Sequence, residues 1–225
     1  MPAPRLRVVS YNIHGLKDDR AALIGVIREL EPDVLVVQEA PRRFRWRHKS
    51  AALADDLGLV VAAGGLPSLG NLLLVSLRVA VHDTWCMRYP LTPGRHLRGA
   101  AFARGSVRGG TFTVSGSHLA TDPTERPAQA ALWKQELNRV EGPVIAAADL
   151  NEGPGGGAWR TVEDGLVSSA DAPPTFPATL PNRRLDGIFV SPGVTIDRYE
   201  VVESEQARRA SDHLPVVVDV LLPSA

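Results

Sequence analysis

The feature that most constrains this chain is a series of short apolar runs that each stop at a polar residue. VVSYN ends at Asn12, VLVVQE at Glu39 and TVSGSH at His118, while VIAAADLN closes with Asp149 and Asn151. Asp186 follows Asn182, Arg183 and Arg184 and opens LDGIFVS; Ser211, Asp212 and His213 directly precede LPVVVDVLL. β-branched runs this short, bounded by Pro or Gly, read as buried strands. When many such strands end in acids, amides and imidazoles, their ends build one polar pocket at an edge of the fold.

The strand-like runs are 5–12, 33–40, 57–63, 71–77, 100–107, 111–119, 144–150, 185–191, 195–204 and 214–222. Ala22, Leu23, Val26, Ile27 and Leu30 form a stripe at helical spacing, with Asp18 or Asp19 as cap and Pro32 as stop. Residues 48–57 suggest a second helix. A third runs from about Pro123 to Val140, with Ala128, Ala131, Leu132, Gln135 and Leu137 near one face. RGGT (108–111) reads as a hairpin turn. NEGPGGGAW (151–159) and APPTFPATLP (172–181) are loops of the kind where sites concentrate. Nine or ten strands with three or four helices predict an α/β sandwich: two sheets face each other, helices lie outside, and the whole chain, 1–225, forms one domain.

Composition excludes several classes. Lys+Arg and Asp+Glu are both 25, which argues against bulk electrostatic binding to nucleic acid or acidic membranes. The single cysteine, Cys86, rules out an intramolecular disulfide and a cysteine-based zinc site. No segment reaches the roughly 18 apolar residues of a membrane span, and no signal-peptide pattern opens the chain. A monomeric cytoplasmic protein is expected, and richness in Ala, Arg, Gly and Pro suggests a bacterial coding sequence.

The residue types at the strand ends specify a chemistry. Glu39, Asn12 and Asp212 are oxygen donors, suited to Mg²⁺, Mn²⁺ or Ca²⁺. Asp149 and His213 are acid/base candidates. Asn151, His118 and Arg98 are candidate donors to a phosphoryl oxygen. Together they point to water attack on a phosphate ester.

The ordered motifs SYNIHGL (10–16), PDVLVVQEA (32–40), GNLLLVS (70–76), LRGAAFAR (97–104), SGSHL (115–119), AADLNEGP (147–154), RRLDGIFVS (183–191) and SDHLPVVVDV (211–220) resemble the endonuclease/exonuclease/phosphatase superfamily, with its deoxyribonuclease I-like fold. The resemblance spans residues 7 to 220. It implies a four-layer α/β sandwich with two mixed sheets. Glu39 would be the principal metal ligand, with Asn12 beside it and Asp212 at the metal or water. Asp149 would orient or deprotonate the attacking water, and Asn151 would hold a phosphate oxygen. His213 would act as acid/base or stabiliser, oriented by Asp186, and His118 would face the phosphate from the other side. His14 stands where some members carry an acid, which favours one Mg²⁺, with Mn²⁺ as substitute.

The run RRFRWRHK (42–49) is either a solvated helix start or a basic rim for phosphates, with Trp46 offering a stacking face. His48, His82 and His96 are expected at the surface. Asn71 is expected to hold a loop. The expected activity is phosphodiester hydrolysis, a nuclease ahead of a lipid or small-molecule phosphodiesterase and a phosphomonoesterase. A non-catalytic binding module is the rival reading, and it is disfavoured because Glu39, Asp149 and His213 are all present.

Overall fold

Strand β2 (Val34–Gln38) is buried on both faces, and its residues before Gln38 are all apolar. In the computed structural model, which describes residues 3–223, it runs parallel to β1 (Arg5–Asn12) and antiparallel to β4 (Asn71–Val75). With β3 (Val60–Gly65), β10 (Thr195–Val201) and β11 (Val216–Leu221) they form a sheet of order β10-β11-β1-β2-β4-β3. A second sheet has the order β5-β6-β7-β8-β9, from β5 (Ala80–Arg88), β6 (Gly99–Val107), β7 (Gly110–His118), β8 (Val144–Asp149) and β9 (Asp186–Val190).

The two-residue period of the strands divides their side chains between layers. Val34, Val36, Leu73 and Ile145 meet between the sheets. Leu35, Val37, Leu72 and Leu74 turn outward onto α1 (Arg20–Leu30) and α2 (Trp46–Leu57), packing with Leu23, Ile27 and Leu53. On the far side, Ala146, Ala148 and Phe189 pack with Trp133 of α3 (Arg126–Leu137) and Trp159 of α4 (Gly157–Glu163). The result is the four-layer α/β sandwich, two mixed sheets flanked by helices.

Small residues set the sheet spacing. A Cβ on Gly116 would sit 2.5 Å from Val36 Cγ1 and 3.2 Å from Leu73 Cδ2, so the sheets meet here with no room for a methyl group. Gly116→Ala is expected to destabilise the fold by about 1–3 kcal/mol through overpacking. Urea unfolding checks this; an unchanged midpoint would show that the sheets separate freely.

Several details depart from the sequence expectation. β5 is an additional strand whose first five residues are exposed, so it carries no apolar run to announce it. α4 begins inside the stretch 151–159 read as a loop, and α5 (Glu205–Ala210) follows the strand run that ends at 204, in a segment given no element by the sequence. α3 is shorter than expected and turned: it buries Gln129, Ala130, Trp133, Lys134 and Leu137. Its polar members are satisfied, since Gln129 Oε1 accepts from Ala120 N and Lys134 Nζ donates to the Asp164 carbonyl. The hairpin turn is as expected, with Arg108 and Gly109 at φ 47° and 84°.

Candidate active site

The topology explains why the polar residues converge. β1 and β2 are parallel, as are β7 and β8, so Asn12, Glu39, His118 and Asp149 lie where these strands end. β9 and β11 run antiparallel to their neighbours, so the residues at their starts come to the same edge. In register, His118 pairs with Asp149, and Asp149 with Asp186.

Asp149 is the hub, 1% exposed. Its Oδ2 accepts from Asn12 Nδ2 at 2.9 Å and lies 3.2 Å from His118 Nε2 and 3.7 Å from His213 Nε2. Its Oδ1 accepts from the Asn151 backbone N–H at 2.9 Å. His213 Nδ1 is 2.8 Å from Asp186 Oδ2, which also accepts from Thr175 Oγ1 at 2.5 Å. Asn151 Nδ2 donates to the Leu119 carbonyl and lies 2.9 Å from His118 Nε2. Arg98 Nη1 is 3.1 Å from His118 Nδ1. Arginine can only donate, so this Nδ1 accepts and Nε2 carries the proton. Seven of the nine expected site residues therefore form one connected group: Asn12, Arg98, His118, Asp149, Asn151, Asp186 and His213.

The other two sit apart from this network. Glu39 lies just past β2 at φ 57°, half-buried, and lines a cleft with Arg98 and His118. It has no hydrogen-bond or ion-pair partner among the described residues. A non-glycine residue held at positive φ stores strain, as is common where a side chain is aimed for function. Asp212 gathers with His14 and Asp18, its Oδ1 3.8 Å from His14 Nδ1.

These donors suit a hard divalent cation. Glu39 is an unpartnered carboxylate facing the cleft, Asp186 Oδ1 is buried without a partner, and the donor set is oxygen-rich with no cysteine. His14, Asp18 and Asp212, and likewise Asp149, Asp186 and His213, are two groups whose ligand atoms lie within 4.8 Å of one another.

Thr175 was not anticipated from the sequence beyond its place in a Pro-rich loop. It is fully buried, its hydroxyl anchors Asp186, and its carbonyl accepts from Leu214 N, next to His213. The neighbouring Phe176 packs on the His213 ring with centroids 4.8 Å apart.

The two imidazoles are driven in opposite directions. Burial holds His118 far down, at about 3; nearby Arg98 reinforces this and Asp149 opposes it. Burial would also lower His213, but the charges of Asp186 and Asp149 and the hydrogen bond from Asp186 outweigh it and raise the group to about 10. The stability consequences follow by linkage. The unfolded chain binds a proton that folded His118 refuses between about 3 and 6.5, so that contribution is complete above 6.5 and lost as pH falls. Folded His213 keeps a proton that the unfolded chain releases between 6.5 and about 10. Its contribution is complete below 6.5 and lost as pH rises through 10. In EDTA, the melting temperature is expected to peak near neutrality, His118→Asn to shallow the acid limb and His213→Asn the alkaline limb. Identical limbs in both variants would contradict this assignment.

Residues 9–213 match the sequence profile described as the Endonuclease/Exonuclease/phosphatase family. A search of curated protein sequences found no match. Among solved structures, the fold is similar to the human Nocturnin catalytic domain with bound sulfate anion, at 20% identity and TM-score 0.80, covering 98% of this chain and 95% of that one. It is similar to a mannosyl-6-phosphatase of Bacteroides thetaiotaomicron, at 19% identity and TM-score 0.78, covering 96% and 100%. It is also similar to D. rerio TDP2 complexed with single strand DNA product, at 18% identity and TM-score 0.76, covering 96% and 98%. With a profile match over most of its length and this arrangement at the strand ends, the chain belongs to the endonuclease/exonuclease/phosphatase family.

Proposed function

We propose that the chain is a divalent-metal-dependent phosphodiester hydrolase in which water attacks in line, and that a nucleic-acid strand is the favoured substrate. The observation that carries this reading is the buried series Thr175–Asp186–His213–Asp149, set beside the unpartnered Glu39 of the cleft. Glu39, Asn12 and Asp212 would hold one Mg²⁺, or Mn²⁺ in its place. Such a cation, when bound, polarises the phosphate and offsets developing negative charge.

The protein's own groups divide the remaining work. His213, kept protonated to about pH 10, donates to the phosphoryl group and is a poor base. That leaves Asp149 to orient the attacking water and take its proton. Asp186 fixes the His213 tautomer, and Thr175 fixes Asp186. His118, Asn151 and Arg98 face the phosphate oxygens, and neutral His118 offers its Nε2 proton. In this reading residues 1–225 act as one monomeric, cytoplasmic domain. No helix of the described residues is long and apolar enough to cross a membrane.

A phosphomonoesterase is the second reading, supported by the similarity to the mannosyl-6-phosphatase. Hydrolysis of bis(4-nitrophenyl) phosphate and of 4-nitrophenyl phosphate with Mg²⁺ decides between them. The diester is expected to be cleaved faster; the reverse order would move the assignment to the monoesterase.

A further inference from the structure

The cleft carries more positive charge than hydrolysis of one phosphate requires. It measures about 830 Å³, and its lining includes Lys17, Arg42, Arg43, Lys49 and Arg98. None of these five has a carboxylate within 4.0 Å among the described residues, and Glu39 is the one acid of the lining. The chain as a whole is neutral, so this charge is a local concentration in the cleft. Like charges on a concave wall repel one another and focus an attractive field for anions.

The aromatic partner is not the one expected from the sequence. Trp46 lies on Gly65, where a Cβ would come within 2.5 Å of its ring, and the Arg47 guanidinium covers it at 4.5 Å. Its faces are therefore in use. Phe44, next to Arg43, is 85% exposed instead. A cationic groove with an open aromatic face is the combination that binds single-stranded nucleic acid: the backbone follows the charge and a base stacks on the ring.

The geometry points to this wall as a subsite for a single-stranded nucleic acid, with Arg43 and Lys49 taking the phosphate next to the scissile one and Phe44 stacking its base. The inference rests on the reading of the cleft as hydrolytic. The volume is that of a small-ligand pocket, which admits a strand end.

Binding tests the subsite without turnover. The probe is a short fluorescein-labelled deoxythymidine strand, followed by anisotropy in EDTA. Wild-type affinity should fall with salt. Arg43→Ala with Lys49→Ala should reduce the slope of log K against log salt by about 0.7, the size of one phosphate contact on a single strand. Phe44→Ala should weaken binding about tenfold, the size of one stacking contact. Unchanged affinity and slope in both variants would overturn the proposal. So would phosphoinositide vesicles that displace the strand and depend on the same residues, which would assign the wall to lipid. Metal-dependent cleavage of bis(4-nitrophenyl) phosphate reports separately on the catalytic reading. Cleavage with strand binding insensitive to the variants sinks the subsite alone; sensitive binding without cleavage of any diester sinks the catalytic reading alone.

Discussion

Asp149→Asn is expected to lower kcat by about 10²–10⁴-fold, the range for removing a general base. The substitution keeps the shape of the side chain, and Oδ1 can still accept from the Asn151 N–H. What is lost is the negative charge at the centre of Asn12, His118 and His213. If Asp149 takes the proton from water, KM should change little while kcat collapses. Circular dichroism and the melting curve show whether the variant folds. A folded variant within about threefold of wild-type kcat would remove Asp149 from the chemistry.

Glu39→Gln is expected to act differently. It leaves the buried network intact, because Glu39 takes no part in it, and it removes the charge facing the cleft. Outer-shell partners of a metal commonly cost 10–100-fold when lost, so a direct ligand should cost at least about a hundredfold in activity at fixed Mg²⁺. The Mg²⁺ concentration for half-maximal rate should rise, and excess metal should restore part of the rate. Titration of rate against Mg²⁺ for both proteins is the check. An unchanged metal requirement would show that Glu39 serves another purpose.

The parts of this molecule that were legible in the sequence are those where burial and local chemistry agree. Residues Val34 to Val37 of β2 are buried on both faces and all apolar, and Gly109 in the hairpin turn is the residue type that its positive φ favours. The ordered strand-end motifs also located seven residues that the structure joins in one network. Where a tertiary contact overrides local pattern, the reading failed. β5 is an exposed edge strand, held by pairing with β6 rather than by an apolar face. α3 buries Gln129 and Lys134 because hydrogen bonds to Ala120 and Asp164 satisfy them, which no hydropathy period reveals. Thr175 carries no charge and sits in a Pro-rich loop, so its hold on Asp186 becomes visible only in three dimensions.

Metal-dependent hydrolysis of a phosphodiester is the activity on which every residue role above depends. The direct measurement compares the purified protein in Mg²⁺ and in EDTA on duplex DNA, single-stranded DNA, RNA, sphingomyelin, a phosphoinositide and an aryl phosphate monoester. The predicted result is turnover that needs the metal, is greatest on single-stranded nucleic acid and is lost in Asp149→Asn. Turnover that persists in EDTA, or none on any of these substrates with Mg²⁺ or Mn²⁺ by a folded protein, would contradict it.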